Sequence, residues 1–184
     1  MTMRPKAQPG KSARSLARIA AVQALYQMDM AGTALNDVIR EFETMRFASK
    51  KPDNDAKMER SPAGKGASSS AISGAADRQF FADILRGVVR LQRDIDPAID
   101  EQLASGWRLV RVDSILRASL RGGVFELLER RDVPARVVIN EYIDVAHAFF
   151  DGDEPKVVNG VLDRLARRFR PDEFAQPATG AADS

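Results

Sequence analysis

The chain has 184 residues, 44% hydrophobic and 29% charged, which is enough for one compact domain or two small lobes sharing a core. It contains no cysteine, so disulfides, thiolate metal sites and cysteine nucleophiles are excluded, in keeping with a reducing compartment. The net charge of +2 excludes little by itself. No apolar run approaches the ~20 residues of a membrane span, and the basic N-terminus lacks a signal peptide's apolar stretch, so a soluble, cytoplasmic protein is expected.

Residues 1–11 hold prolines, a glycine and cations without core residues, and read as a flexible basic arm. A first helix is predicted from Ser12 to Ala31, with Leu16, Ile19, Ala20 and Ala24 as its apolar stripe and Gly32 as its stop. A second amphipathic segment covers Asn36–Phe47, with Val38, Ile39, Phe42, Met45 and Phe47 apolar. From residue 49 to 76 the chain turns to Lys, Pro, Asp, Gly and Ser. It cannot bury enough surface to offset its chain entropy and reads as a disordered insertion. Gly64-Lys65-Gly66 within it lacks the spacing of a phosphate loop.

Order is expected to return at Asp77, an N-cap, followed by Phe81, Ile84, Leu85, Val88 and Ile95 at helical spacing. Pro97 suits the first turn of a short helix carrying Ile99 and Leu103 and ending near Gly106, with Trp107 as a core anchor. Further helices are predicted over Val112–Glu129, from Pro134 through Phe149, and from Pro155 through Phe169, with Pro171 ending the last. No convincing strand pattern remains. The predicted fold class is all-α, about seven helices packed as antiparallel neighbours.

Two basic clusters stand out. Arg4, Lys6, Lys11, Arg14 and Arg18 precede the first acidic residue, Asp29, while Arg164, Arg167, Arg168 and Arg170 crowd the other end. For the second cluster a solvated helix end complementing the dipole is the preferred reading. For the first, nucleic acid is preferred. Lys11, Arg14 and Arg18 are spaced three and four apart, which on a helix sets them on one face nearly opposite Leu16, able to follow a phosphate backbone. Gln23, Tyr26 and Gln27 follow as candidates for hydrogen bonding and stacking with unpaired bases, Tyr26 reading equally well as a core aromatic. Catalysis finds no support. Glu126 and Glu141 read as capping or ion-pairing groups, and His147, the sole histidine, as structural.

The run Ala17-Arg18 with Ala21-Val22-Gln23-Ala24-Leu25-Tyr26 resembles the opening helix of the NusB family of bacterial transcription antitermination factors. Leu120-Arg121-Gly122-Gly123-Val124-Phe125-Glu126-Leu127, then Asp132-Val133-Pro134 with Val138-Ile139-Asn140-Glu141, then Lys156-Val157-Val158-Asn159-Gly160-Val161-Leu162-Asp163 continue the resemblance in family order. It covers most of residues 12–171. It implies two roughly perpendicular helical bundles. Their expected bounds are 12–48 with 77–95 and then 96–171, and residues 172–184 read as a disordered tail. The resemblance implies binding, together with NusE (the tenth small-subunit ribosomal protein), to boxA RNA in nascent ribosomal RNA leaders. The assembly would join NusA and NusG on RNA polymerase and support processive ribosomal RNA transcription.

The family's arginine-rich motif maps onto Arg14 and Arg18, with Ser15 and Leu16 where many members carry further arginines. Its RNA-facing loop maps onto Asp153 and Lys156, and Val157 stands where members often carry phenylalanine. Asn140 and Asn159 are expected to face inward as structural hydrogen-bonders. A NusB-like domain also precedes the catalytic domain of some ribosomal RNA cytosine methyltransferases. This chain has neither a cysteine nucleophile nor a glycine-rich cofactor turn, so a non-enzymatic role is expected.

Overall fold

The computed structural model describes residues 11–47, 76–103 and 108–175, and every described regular element is helical. Six α-helices follow in order: α1 Ala13–Ala31, α2 Leu35–Glu41, α3 Arg78–Asp100, α4 Ser114–Glu129, α5 Ala135–Phe149 and α6 Glu154–Phe169. A π turn, Phe42–Arg46, extends α2, and 3-10 turns lie at Leu109–Arg111 and Pro171–Glu173. The chain divides into two compact units, one up to Arg86 and one from Gly87, a division that falls inside α3.

The helix boundaries follow from local chemistry. Ser12 stands in extended backbone and its Oγ accepts the Ser15 amide at 3.0 Å, satisfying a donor the first turn cannot use. Gly32 ends α1 at φ 64°, a left-handed conformation costly for any residue with a Cβ. Asp77 accepts the Phe80 amide at 2.9 Å, and Asp113 accepts those of Ile115 and Leu116 at 2.8 and 3.2 Å. Pro155 sits in the first turn of α6, where a missing N–H removes no helical bond.

Two expectations are corrected. Pro97 starts no new helix; α3 runs through it to Asp100. Ile95, Ala98 and Ile99 keep the buried stripe continuous, while Pro97 itself is exposed, so the bond it interrupts lies on the wet side. The predicted short helix thus merges with its predecessor. Met45, expected inward, is 78% exposed. The wider π turn inserts an extra residue between Phe42 and Phe47, so both rings stay inside and Met45 rotates out. The insertion at 49–76, all but its last residue, lies outside the described residues, as do residues 1–10 and Trp107.

In the first unit α1 packs on α2, and Phe42, Phe47 and Phe81 form an aromatic cluster. Phe42 and Phe81 stack at 5.3 Å, and Phe47 meets Phe81 edge-on at 5.1 Å. In the second, α4, α5 and α6 pack mutually. From Ala118 to Leu127 every residue of α4 is buried, making it the central helix. A Cβ at Gly122 would stand 2.7 Å from the Tyr142 hydroxyl, and one at Gly123 2.7 Å from Leu162, so these glycines set how closely α5 and α6 approach. Within α4, buried Glu126 accepts the Tyr142 hydroxyl at 2.9 Å. Arg121 clasps Asp96 with two 2.8 Å bonds.

Order reaches further than the predicted tail boundary. Glu173 accepts the Ala135 amide at 2.6 Å, capping α5, and also pairs with Arg170 at 3.0 Å. Phe174 lies between Arg136 and Arg167, whose guanidinium carbons are 5.5 and 4.8 Å from its ring centre.

Candidate nucleic-acid interface

Each unit carries a set of the residues singled out in the sequence. In the first unit, Lys11 precedes the Ser12 cap and lies outside the helix, exposed. Arg14 and Arg18, one turn apart on α1, do share a face, but that face looks onto Phe80. Both guanidinium carbons sit 4.9 Å from its ring centre. The expected open stripe is therefore corrected at Arg18, which is only 2% exposed, whereas the Arg14 side chain keeps 45% of its surface. A guanidinium is flat and weakly hydrated, so an aromatic face can hold it where an ammonium would stay in water. Leu16, expected to be the opposite, buried pole, is only half-buried.

Asp77 organises this end of the unit. Its amide donates to the Ala13 carbonyl at 3.0 Å, and its carboxylate caps α3 and stands 3.8 Å from Arg14 Nε. Phe80 was not recognised in the sequence; its position three residues after the Asp77 cap was the available signal. Further along α1, Tyr26 is 38% exposed, and Gln23 is half-buried with its Oε1 enclosed and lacking a hydrogen-bond partner among the described residues. Gln27 is committed internally, donating to Glu41 at 2.8 Å.

In the second unit, Asp153 and Lys156 stand at the start of α6, each 83% exposed, joined by a 2.6 Å bond. That bond and its charge attraction hold the Asp153 carboxyl below its ordinary range and raise the Lys156 ammonium above its own. The two stay oppositely charged across the neutral range. Both line a cleft of about 460 Å³ together with Gln102, Leu103, Val157, Gly160, Val161 and Arg164. Its size falls within the range of ligand sites, and its walls are largely aliphatic. Arg164 is fixed at the rim by two bonds to Gln102, 3.1 Å to the side-chain oxygen and 2.7 Å to the carbonyl. The sequence marks Arg164 only as one of the C-terminal arginines, and Gln102 carries no motif.

Asn140 and Asn159, expected inward, are both exposed, since their helices turn the adjacent Ile139 and Val158 toward the core instead. His147 is exposed near the end of α5. Among the described residues no cluster of His, Cys, Asp or Glu gathers as a metal site. No described helix is long and apolar enough to cross a membrane.

Comparisons with known proteins agree on one family. The NusB family model matches residues 15–167. The chain is 48% identical to the transcription antitermination protein NusB of Rhodopseudomonas palustris over 174 residues, covering 95% of this chain and 90% of that protein. It is 51% identical to the protein of the same name from Maricaulis maris over 161 residues, covering 88% and 90%. In fold it is similar to T. maritima NusB, with a TM-score of 0.66 at 24% identity, covering 89% of this chain and 98% of that one. It is similar also to a chain in a crystal structure of a plectonemic RNA supercoil, with a TM-score of 0.63 at 23% identity, covering 86% and 97%. With the family model spanning most of the chain and relatives near half identical along almost its whole length, the protein belongs to the NusB family.

Proposed function

We propose that this protein is an RNA-binding transcription antitermination factor with no catalytic activity of its own. In this reading it binds boxA-type single-stranded RNA in nascent ribosomal RNA leaders together with NusE. With NusA and NusG on RNA polymerase, the complex then supports processive ribosomal RNA transcription. The observation that carries the reading is the near-complete match to proteins named for transcription antitermination, 48% identical over 95% of this chain.

Exposed Lys11 and Arg14 are the residues proposed to meet phosphates at the start of α1, with Tyr26 and Gln23 offering a ring and a hydrogen-bonding amide to bases. Arg18, buried on Phe80, contributes by holding that ring and the helix start in place. Lys156 supplies the cation at α6, beside Asp153.

The test is fluorescence anisotropy of a labelled boxA RNA, titrated with the protein with and without NusE, against a scrambled RNA of equal length. Preferential binding strengthened by NusE is expected. Equal affinity for both RNAs, unmoved by NusE, would defeat the proposal.

A further inference from the structure

The two carboxylate oxygens of Asp77 face different partners. Oδ1 accepts the Phe80 amide at 2.9 Å and so caps α3, while Oδ2 stands 3.8 Å from Arg14 Nε. The backbone on either side fixes the residue in place. Its amide donates to the Ala13 carbonyl at 3.0 Å, and its carbonyl accepts the Phe81 amide at 3.0 Å. Arg14 is held in turn, its guanidinium carbon 4.9 Å from the centre of the Phe80 ring. The neighbouring cation is committed elsewhere, since Arg78 donates to the Phe47 carbonyl at 2.6 Å.

A helix cap does not require this charge. Asparagine and serine cap about as well as aspartate. Capping alone therefore gives no reason for a carboxylate beside the more exposed of the two α1 arginines. We infer that Asp77 is a built-in competitor of phosphate: it faces Arg14 in the free protein, and RNA must share or displace that contact to bind there. The pair is suited to such an exchange. It is long, and its side chains keep 45% and 34% of their surface, so it stabilises the fold little and yields to a stronger anion. Its charge also repels a phosphate arriving at the same guanidinium, by an amount worth roughly two- to four-fold in affinity. The effect lowers binding to any RNA backbone, because phosphate contacts carry no sequence information. The start of α1 is thereby kept from holding arbitrary transcripts, and base contacts decide. The inference rests on the RNA-binding reading above and concerns how strongly its α1 end binds.

Asp77→Asn and Asp77→Ser test it, because both keep a cap and remove the charge. Tm is expected to stay within about 2 °C of the wild type for asparagine. Affinity for boxA RNA and for scrambled RNA should each rise about three-fold at low salt in both variants. The gain should shrink as salt rises from about 0.05 to 0.3 M. In an Arg14→Ala background, Asp77→Asn should gain less than about 1.5-fold, since the contact being released is gone. The same gain with and without Arg14 would show a general field and overturn the competition for that arginine. Unchanged or weaker binding by the folded variants, with the wild type still preferring boxA RNA, would overturn the role of Asp77 alone. A wild type that does not distinguish the two RNAs would sink the RNA-binding reading and this inference with it.

Discussion

The two arginine clusters look alike in the sequence and are put to different uses. At the start of α1, Arg14 lies over Phe80 with 45% of its side chain open to water, and Lys11 precedes it on the surface. At the end of α6 each arginine is bound to the protein itself. Arg164 holds Gln102, Arg167 holds Asp163, Arg168 holds Glu101 at 2.6 Å, and Arg170 is completely buried. Its guanidinium donates to the carbonyls of Glu126, Leu127, Arg130 and Val133 and to the Glu173 carboxylate, which satisfies the last turn of α4 as no water could there. A run of cations marks a polyanion site only where the surrounding fold leaves the charge unspent. The first cluster is partly displayed; the second is mostly fastening.

Substitutions can break or sharpen that contrast. Arg170→Ala should have the largest effect, about 3–5 kcal/mol in urea unfolding, because it strips partners from several buried carbonyls and from Glu173. A loss near zero would mean that the α4 terminus finds other donors and that the fastening role is wrong. Arg18→Ala should cost about 2 kcal/mol through the lost contact with Phe80 and lost packing. Its RNA affinity should fall mainly through that distortion, so Arg18→Lys, which keeps the charge without the flat group, should rescue little.

Arg14→Ala should barely move stability, by less than about 1 kcal/mol, given its long and half-exposed pairing with Asp77. It should instead flatten the log–log salt dependence of RNA binding by roughly 0.7. An unchanged slope would remove Arg14 from the interface. Arg168→Ala should be the mildest, within about 0.5 kcal/mol, because both it and Glu101 are more than half exposed. A slope change there would show that the second cluster, too, meets RNA.

Elements whose limits are set by neighbouring residues were legible in the sequence: Ser12 and Gly32 bounding α1, Asp77 opening α3, and Pro171 ending α6. Pro97 misled because a proline's local cost was weighed without knowing that it faces water while Ile95 and Ile99 hold the stripe together. Of the candidate site, the residue types were legible but their exposure was not. Arg18 and Arg14 share spacing and charge, and only the Phe80 ring, about sixty residues on, decides which of them is covered. Gly122 and Gly160 likewise look the same in a string. What separates them is a 2.7 Å approach to Tyr142 in one case and an ordinary 3.8 Å contact with Arg164 in the other.

The buried guanidinium of Arg170 also bears on the order in which the second unit assembles. Its carbonyl partners lie 37 to 44 residues earlier in the chain. Closing so long a loop costs more chain entropy than pairing adjacent helices, so this cage is expected to shut after α4 and α5 have met. Contacts made after the rate-limiting barrier act chiefly on the rate of escape. Arg170→Ala is therefore expected to speed unfolding more than it slows folding, so that this one side chain sets the lifetime of the folded unit.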